Sequence, residues 1–207
     1  MASNVTGGFE RMKAESQSGL AMRKIQLGFL QRFDWGAIEK LQDTVRDYLR
    51  PSPEERMKAY PKDIAEETLQ GLYEEESVYG EELADLTSEL AIVALYKKLE
   101  IDTKRAIKIV FPEQSDRDLF KWETLKNFLR GQGIDIENFS KYSEVDELRI
   151  INNCIKHSGI VDGNLSKFGE WKKGEHVTSL DRHFHRLALA AERYMADLTN
   201  ALSSKLK

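Results

Sequence analysis

The chain has 207 residues, 41% of them hydrophobic and 32% charged, with a formal charge of −4 at pH 7. A chain of this size makes one ordinary domain or two very small ones, burying about two-thirds to three-quarters of its unfolded surface. With only four prolines, this composition excludes a disordered, collagen-like or membrane-spanning protein, and the charge excludes a strongly basic polyanion binder.

The first residues, MASNVTGGFERMKAES, lack the apolar core of a secretion signal, and residues 1–18 are expected to be a flexible polar lead-in to a single helical domain over 19–207. From Leu20 to Tyr48 apolar residues recur at helical intervals; Ile38, Leu41, Val45 and Tyr48 step by three and four along one stripe, with Gly36 marking a break. Pro51 ends this segment at Arg50. Ser52, Pro53 and Glu55 then form a helix-start signal for a short helix to about Tyr60, followed by another over about Lys62 to Leu72. Leu83, Leu86, Leu90 and Val93, continued by Leu99, Ile107 and Val110, predict one long helix from about Glu81 to Val110.

Ser115 with Asp118 caps a helix from about Asp116 to Arg130, closed by Gly131 and Gly133. Ser143 with Asp146 starts the next, which runs to His157 and stops at Gly159. Ile160 to Thr178 is a loop or short irregular excursion, and Leu180, Phe184, Leu187, Ala191, Met195, Leu198 and Leu202 mark a C-terminal helix. Trp35, Trp122, Phe33, Phe120 and Phe128 fall among leucines and read as core. No sustained apolar–polar alternation argues for a sheet, so the fold class is all-α, an up-and-down helical bundle with extra short helices.

The charge is uneven. Residues 54–89 hold three basic and twelve acidic side chains, whereas 149–186 hold seven basic and four acidic ones together with all four histidines. The acidic run Glu74-Glu75-Glu76 and Glu81-Glu82 reads as a solvated helix end or turn. Anion handling is therefore expected in the later segment. The single cysteine, Cys154, excludes an intramolecular disulfide and a multi-cysteine zinc site, favouring a reducing, cytoplasmic setting. His183 and His185 lie about 200° apart on a helix and cannot chelate one ion together, so no metal is expected. No phosphate-cradling glycine loop supports a nucleotide cofactor.

The helix VDELRIINNCIKH, residues 145–157, carries the most information. Leu148, Ile151 and Ile155 form a core stripe; Arg149, Asn153 and His157 lie nearly opposite, with Ile150 and Cys154 beside them. A helix apolar on two sides suits burial by its own bundle on one and by a partner chain or substrate on the other. Two adjacent asparagines in mid-helix compete with the backbone and need specific partners. One reading ties Asn152 and Asn153 to a neighbouring loop, with His157 simply a favourable residue at the negative helix end.

The other reading is functional. The stretch ELRIINNCIKHSG in an all-helical chain resembles the HEPN group, the higher eukaryotic and prokaryotic nucleotide-binding proteins, over about residues 81–207. The resemblance implies a small helical bundle, a homodimer, and a metal-independent endoribonuclease of a toxin-antitoxin or phage-defence type. It also leaves room for an antitoxin or another protein partner. The family signature is an arginine followed, after four to six residues, by a histidine. His157 matches the histidine, Asn152 stands where the arginine is expected, and Asn153 matches the polar residue after it.

Arg149 is one residue outside the pattern, about 12 Å along the helix from His157. The resemblance implies His157 as general acid or base, Arg149 on the phosphate and Asn153 positioning it. Asn152, Lys156, Lys172, Lys173 and Arg182 would contact the RNA, with Trp171 available to stack on a base or to cap the bundle. The departure at position 152 equally describes a catalytically inactive module binding RNA, a nucleotide or a protein.

Overall fold

The computed structural model describes residues 3–49, 66–115 and 117–206, with Ser52, Glu55 and Lys58 between the first two stretches. Helix α1 spans Ser3–Gln31, α2 Gly36–Leu49, α3 Glu66–Val110, α4 Trp122–Gly131, α5 Tyr142–His157 and α6 Leu180–Ser203. Short 3-10 turns at Ile136–Asn138 and Leu165–Phe168 complete the order. The protein is all-α: among the described residues there is no strand, only an isolated antiparallel bridge between Ile160 and His176. No described helix is long and apolar enough to cross a membrane.

The helix ends follow local chemistry. Asp34 Oδ1 accepts the Gly36 amide at 2.9 Å at the start of α2. Ser52 and Glu55 make the reciprocal capping box expected of them, at 3.0 and 3.2 Å. The helices predicted around them lie mostly outside the described residues. Ser115 receives the Asp118 amide at 3.2 Å, but residues 117–121 are turns and α4 begins only at Trp122. At its end, Gly133 has φ +72°, its amide meets the Arg130 carbonyl and the Ile134 amide the Leu129 carbonyl, the paired closure of a Schellman motif.

Two expectations about extent are corrected. α1 begins at Ser3, so residues 3–18 are helical rather than a loose lead-in. α3 begins at Glu66, well before Glu81, because no proline or glycine pair interrupts the intervening residues and they form good intrahelical bonds.

The chain divides into two compact units. The first comprises Met1–Phe33, Lys98–Val145 and Leu189–Lys207; the second comprises Asp34–Lys97 and Asp146–Ala188. The first unit buries Leu27, Ile107, Leu129, Tyr194, Leu198 and Leu202, with the Phe139 ring edge-on to Tyr194 at 5.6 Å. The second buries Ile92, Leu95, Leu148, Ile151, Phe184 and Leu187, with Trp35 edge-on to Phe184 at 5.8 Å.

Several residues read as core lie elsewhere. Phe120 is 74% exposed, in a turn beneath the Lys104 ammonium rather than on a helix face. Leu41 and Tyr48 on α2, and Leu86 and Leu90 on α3, are also exposed. Their periodicity is real, but a stripe marks a face without supplying something to cover it.

Two glycines that end α4 separate helix propensity from backbone strain. Gly131 is helical with open space around a would-be Cβ, so Gly131→Ala is expected to stabilise by a few tenths to about 1 kcal/mol. Gly133 needs the left-handed region, so Gly133→Ala is expected to destabilise by about 1 kcal/mol. Thermal melts of the two variants should move in opposite directions.

Candidate anion-binding site

The second unit holds the end of α5, the loop 158–179 and the start of α6, where the predicted site residues fall. The loop is ordered by the sequence. Gly159, at φ +66°, carries its amide back to the Cys154 carbonyl at 2.8 Å and closes α5. The Val161 amide reaches the Glu175 carbonyl at 2.9 Å and the Val177 amide the Gly159 carbonyl at 2.8 Å, which draws the two ends of the excursion together. Between them Asp162 Oδ1 accepts the amides of Asn164 and Leu165 at 2.9 and 2.8 Å. The backbone bond from Leu165, chief among these, holds the Asp162 carboxyl below the usual aspartate range.

The loop covers the second apolar side of α5. Ile150 and Cys154 are buried, as are Val161, Leu165 and Val177 of the loop. The side that suited a partner or substrate is therefore closed by the chain itself. Burial raises the Cys154 thiol pKa, which disfavours the thiolate a nucleophile would need.

One cluster ties this region together. Glu147, 4% exposed, accepts the Trp171 indole N–H at 2.9 Å and a two-pronged Arg186 guanidinium at 2.8 and 2.9 Å. His183 packs on Trp171, ring centres 4.6 Å apart, with its Nδ1 3.2 Å from Arg186 and 3.3 Å from Glu170. Trp171 is buried, so it caps the unit, and its partner His183 occupies ring surface on which a base would stack.

The predicted residues separate into two sets. On α5, His157, Asn153 and Lys156 are exposed, whereas Asn152 is 1% exposed. Asn152 Nδ2 reaches only Asn153 Oδ1, at 3.4 Å, and its own Oδ1 accepts no hydrogen bond among the described residues. No loop group receives Asn152, contrary to the tie expected of it. Arg149 is half-buried, and its Nε and Nη2 both meet Asp146 Oδ1 at 2.8 Å, one turn toward the helix start. His157 lies in the opposite direction along the helix, away from the carboxylate that holds the Arg149 guanidinium.

Lys172 and Arg182 come together around a cavity of about 510 Å³ that Trp171, His176, His183 and Arg186 also line, together with two carboxylates, Glu170 beside His183 and Glu175 beside Lys172. Lys173 is exposed beside them. Lys172 Nζ is 3.5 Å from Glu175 and Arg186 is spent on Glu147, but no carboxylate pairs with Arg182 among the described residues. The cavity also presents the Thr178 and Ser179 hydroxyls, and Ser179 takes a left-handed φ of +57° just before α6. Such a lining can hold a phosphate or carboxylate through Arg182 and hydroxyl donors. It holds no group of three or more histidine, cysteine, aspartate or glutamate side chains arranged for a metal; the described residues contain none anywhere.

Glu147, Arg186, His176 and His183 were not singled out as a group by the sequence. Glu147 did carry a signal: it falls on the same side of α5 as Ile150, Ile151 and Cys154, and a carboxylate on an apolar arc requires cationic or N–H partners. Its partners lie 24 and 39 positions away, beyond the reach of any local pattern.

No protein-family model matches the chain, and neither a curated protein nor a solved structure does. The established class is therefore that of an all-α helical protein.

Replacing Glu147 with Ala leaves Arg186 and the Trp171 N–H without their acceptor. Because the Arg186 side chain is 40% exposed and regains water, the expected loss is about 2–3 kcal/mol, read from the denaturant midpoint. Asp162 contributes differently with pH. Its folded pKa lies below the unfolded one, so its contribution is complete above the unfolded value and is lost as pH falls through the folded value. Asp162→Asn is expected to flatten this part of the acid limb in stability measurements below about pH 4.

Proposed function

We propose that this chain is a non-catalytic helical module of HEPN-like type that binds RNA phosphates through the Lys172 and Arg182 cavity. The observation that carries the choice against a ribonuclease is the Arg149 guanidinium, held by Asp146 toward the start of α5. His157 is exposed, but a lone imidazole leaves the charge that builds on phosphorus without a guanidinium to stabilise it. Asn152 fills the position expected for the signature arginine with a neutral, buried amide.

Binding draws on different residues. Arg182 has a guanidinium not paired to a carboxylate among the described residues, Lys172 flanks it in the same cavity, and Lys173 stands exposed beside it. These few cations fit a modest, salt-sensitive interaction rather than tight polyanion binding.

The test uses the purified full chain and a mixed RNA pool in EDTA. Wild type and His157→Ala are expected to leave the RNA equally intact; cleavage by wild type that disappears in the variant would restore the nuclease. RNA binding is expected to weaken with rising salt, and Lys172→Ala with Arg182→Ala should lower affinity and flatten the salt slope by about one to two. Binding indifferent to salt and to both substitutions would remove the RNA reading.

A further inference from the structure

Two exposed apolar surfaces lie outside this cavity, and their charges are opposite. The first, in the first unit, is a groove of about 560 Å³ between α1 and the end of α3. Phe29, Leu30 and Ile109 supply its apolar lining and Arg23, Arg105 and Lys108 its cations, of which Arg105, 68% exposed, also has Asp102 at 3.6 Å. Phe29 is 70% exposed, and Met22 and Ile25, also exposed, precede it at helical steps of four and three on the same face of α1. An exposed phenylalanine within such a continuous stripe is a strong mark of an interaction surface.

The second surface is on α3 in the second unit. Tyr79, Leu86 and Leu90, each more than half exposed, lie within about 40° of one another in projection. Glu75, Glu82 and Glu89 recur every seven residues along one side of that stripe. Three of the twelve acidic residues of 54–89 thus line one side of an exposed apolar stripe. The stripe from Tyr79 to Leu90 runs about 16 Å and the α1 stripe from Met22 to Phe29 about 10 Å, lengths that suit side-by-side helix packing.

We propose that the α1 groove of one copy receives the acidic Tyr79–Leu90 stripe of a second copy. Apolar side chains meet at the centre, and the net positive rim of the groove faces a row of regularly spaced carboxylates. A second copy is the occupant because this chain itself carries the complement in both charge and apolar spacing. The contact joins unlike surfaces, so it is heterologous: it closes into a ring or dimer, or propagates into a chain. It is independent of RNA binding and involves none of the residues of that cavity.

Sedimentation and light scattering of the full chain over a concentration series test it, in low and high salt. Wild type is expected to self-associate at low salt and to dissociate as salt screens the flanking charges. Arg23→Glu with Lys108→Glu, or Glu82→Lys with Glu89→Lys, should each weaken self-association by about tenfold or more. Phe29→Ala should also weaken it, with the charges untouched. A mixture of the two charge-reversed proteins should associate through the one groove and one stripe left intact. A chain with all four reversals should regain self-association. Circular dichroism and the melting temperature provide the folding control for each variant. A wild type that stays monomeric throughout overturns the proposal, as does self-association unchanged by either reversal. A monomer that instead binds an acidic amphipathic helix of another protein overturns it too.

Discussion

The second unit depends on one buried carboxylate. Glu147 gives up its hydration to lie among Ile150, Ile151 and Cys154, and desolvating an ion costs several kcal/mol unless partners compensate. Three donors do so: the Trp171 indole and two nitrogens of Arg186. Because Trp171 belongs to the loop and Arg186 to α6, satisfying this one charge brings three segments into register. It also decides which face of α5 remains outside. With the Glu147 side turned inward, Asn153, Lys156 and His157 are left at the surface.

The same constraint changes the meaning of the basic segment. Counted along the chain, residues 149–186 carry a surplus of cations, but most are already engaged. Arg149 is held by Asp146, Arg186 by Glu147, and Lys172 lies near Glu175. Lys167 reaches the Asn164 side chain at 3.1 Å. The charge available to a ligand is therefore narrower than the sequence total, centred on Arg182 and Lys173, with Lys172 shared with Glu175. Acidity in α3 has the opposite character, since Glu75 and Glu82 are exposed and follow a regular spacing beside apolar residues.

Much of the helical framework was legible from short-range signals. Gly159 closes α5 and Gly133 closes the turn after α4 because both adopt positive φ, and Ser52 with Glu55 forms its capping box. The C-terminal stripe from Leu180 to Leu202 is buried along its whole length. Identical reasoning overstated the core elsewhere. Leu86 and Leu90 have the spacing of buried residues yet are exposed, and Phe120 stands in a turn that the capping signal at Ser115 had placed inside a helix. Periodicity reports which residues share a face; burial requires a second surface contributed from elsewhere.

The amino-acid sequence by itself determined the all-α class, most helix ends, the pair of adjacent asparagines in the middle of α5 and the uneven distribution of charge. These follow from interactions within a few residues, where propensity, capping and helical spacing operate. Only the tertiary structure decided that Arg149 turns to Asp146, that Asn152 is buried, and that Lys172 and Arg182 share a cavity. The reason is reach. A guanidinium can turn toward either end of its helix, and an amide is buried or exposed according to what packs over it. The groups that settle the arrangement lie 24 to 39 positions away from Glu147, joined to it only when the chain folds.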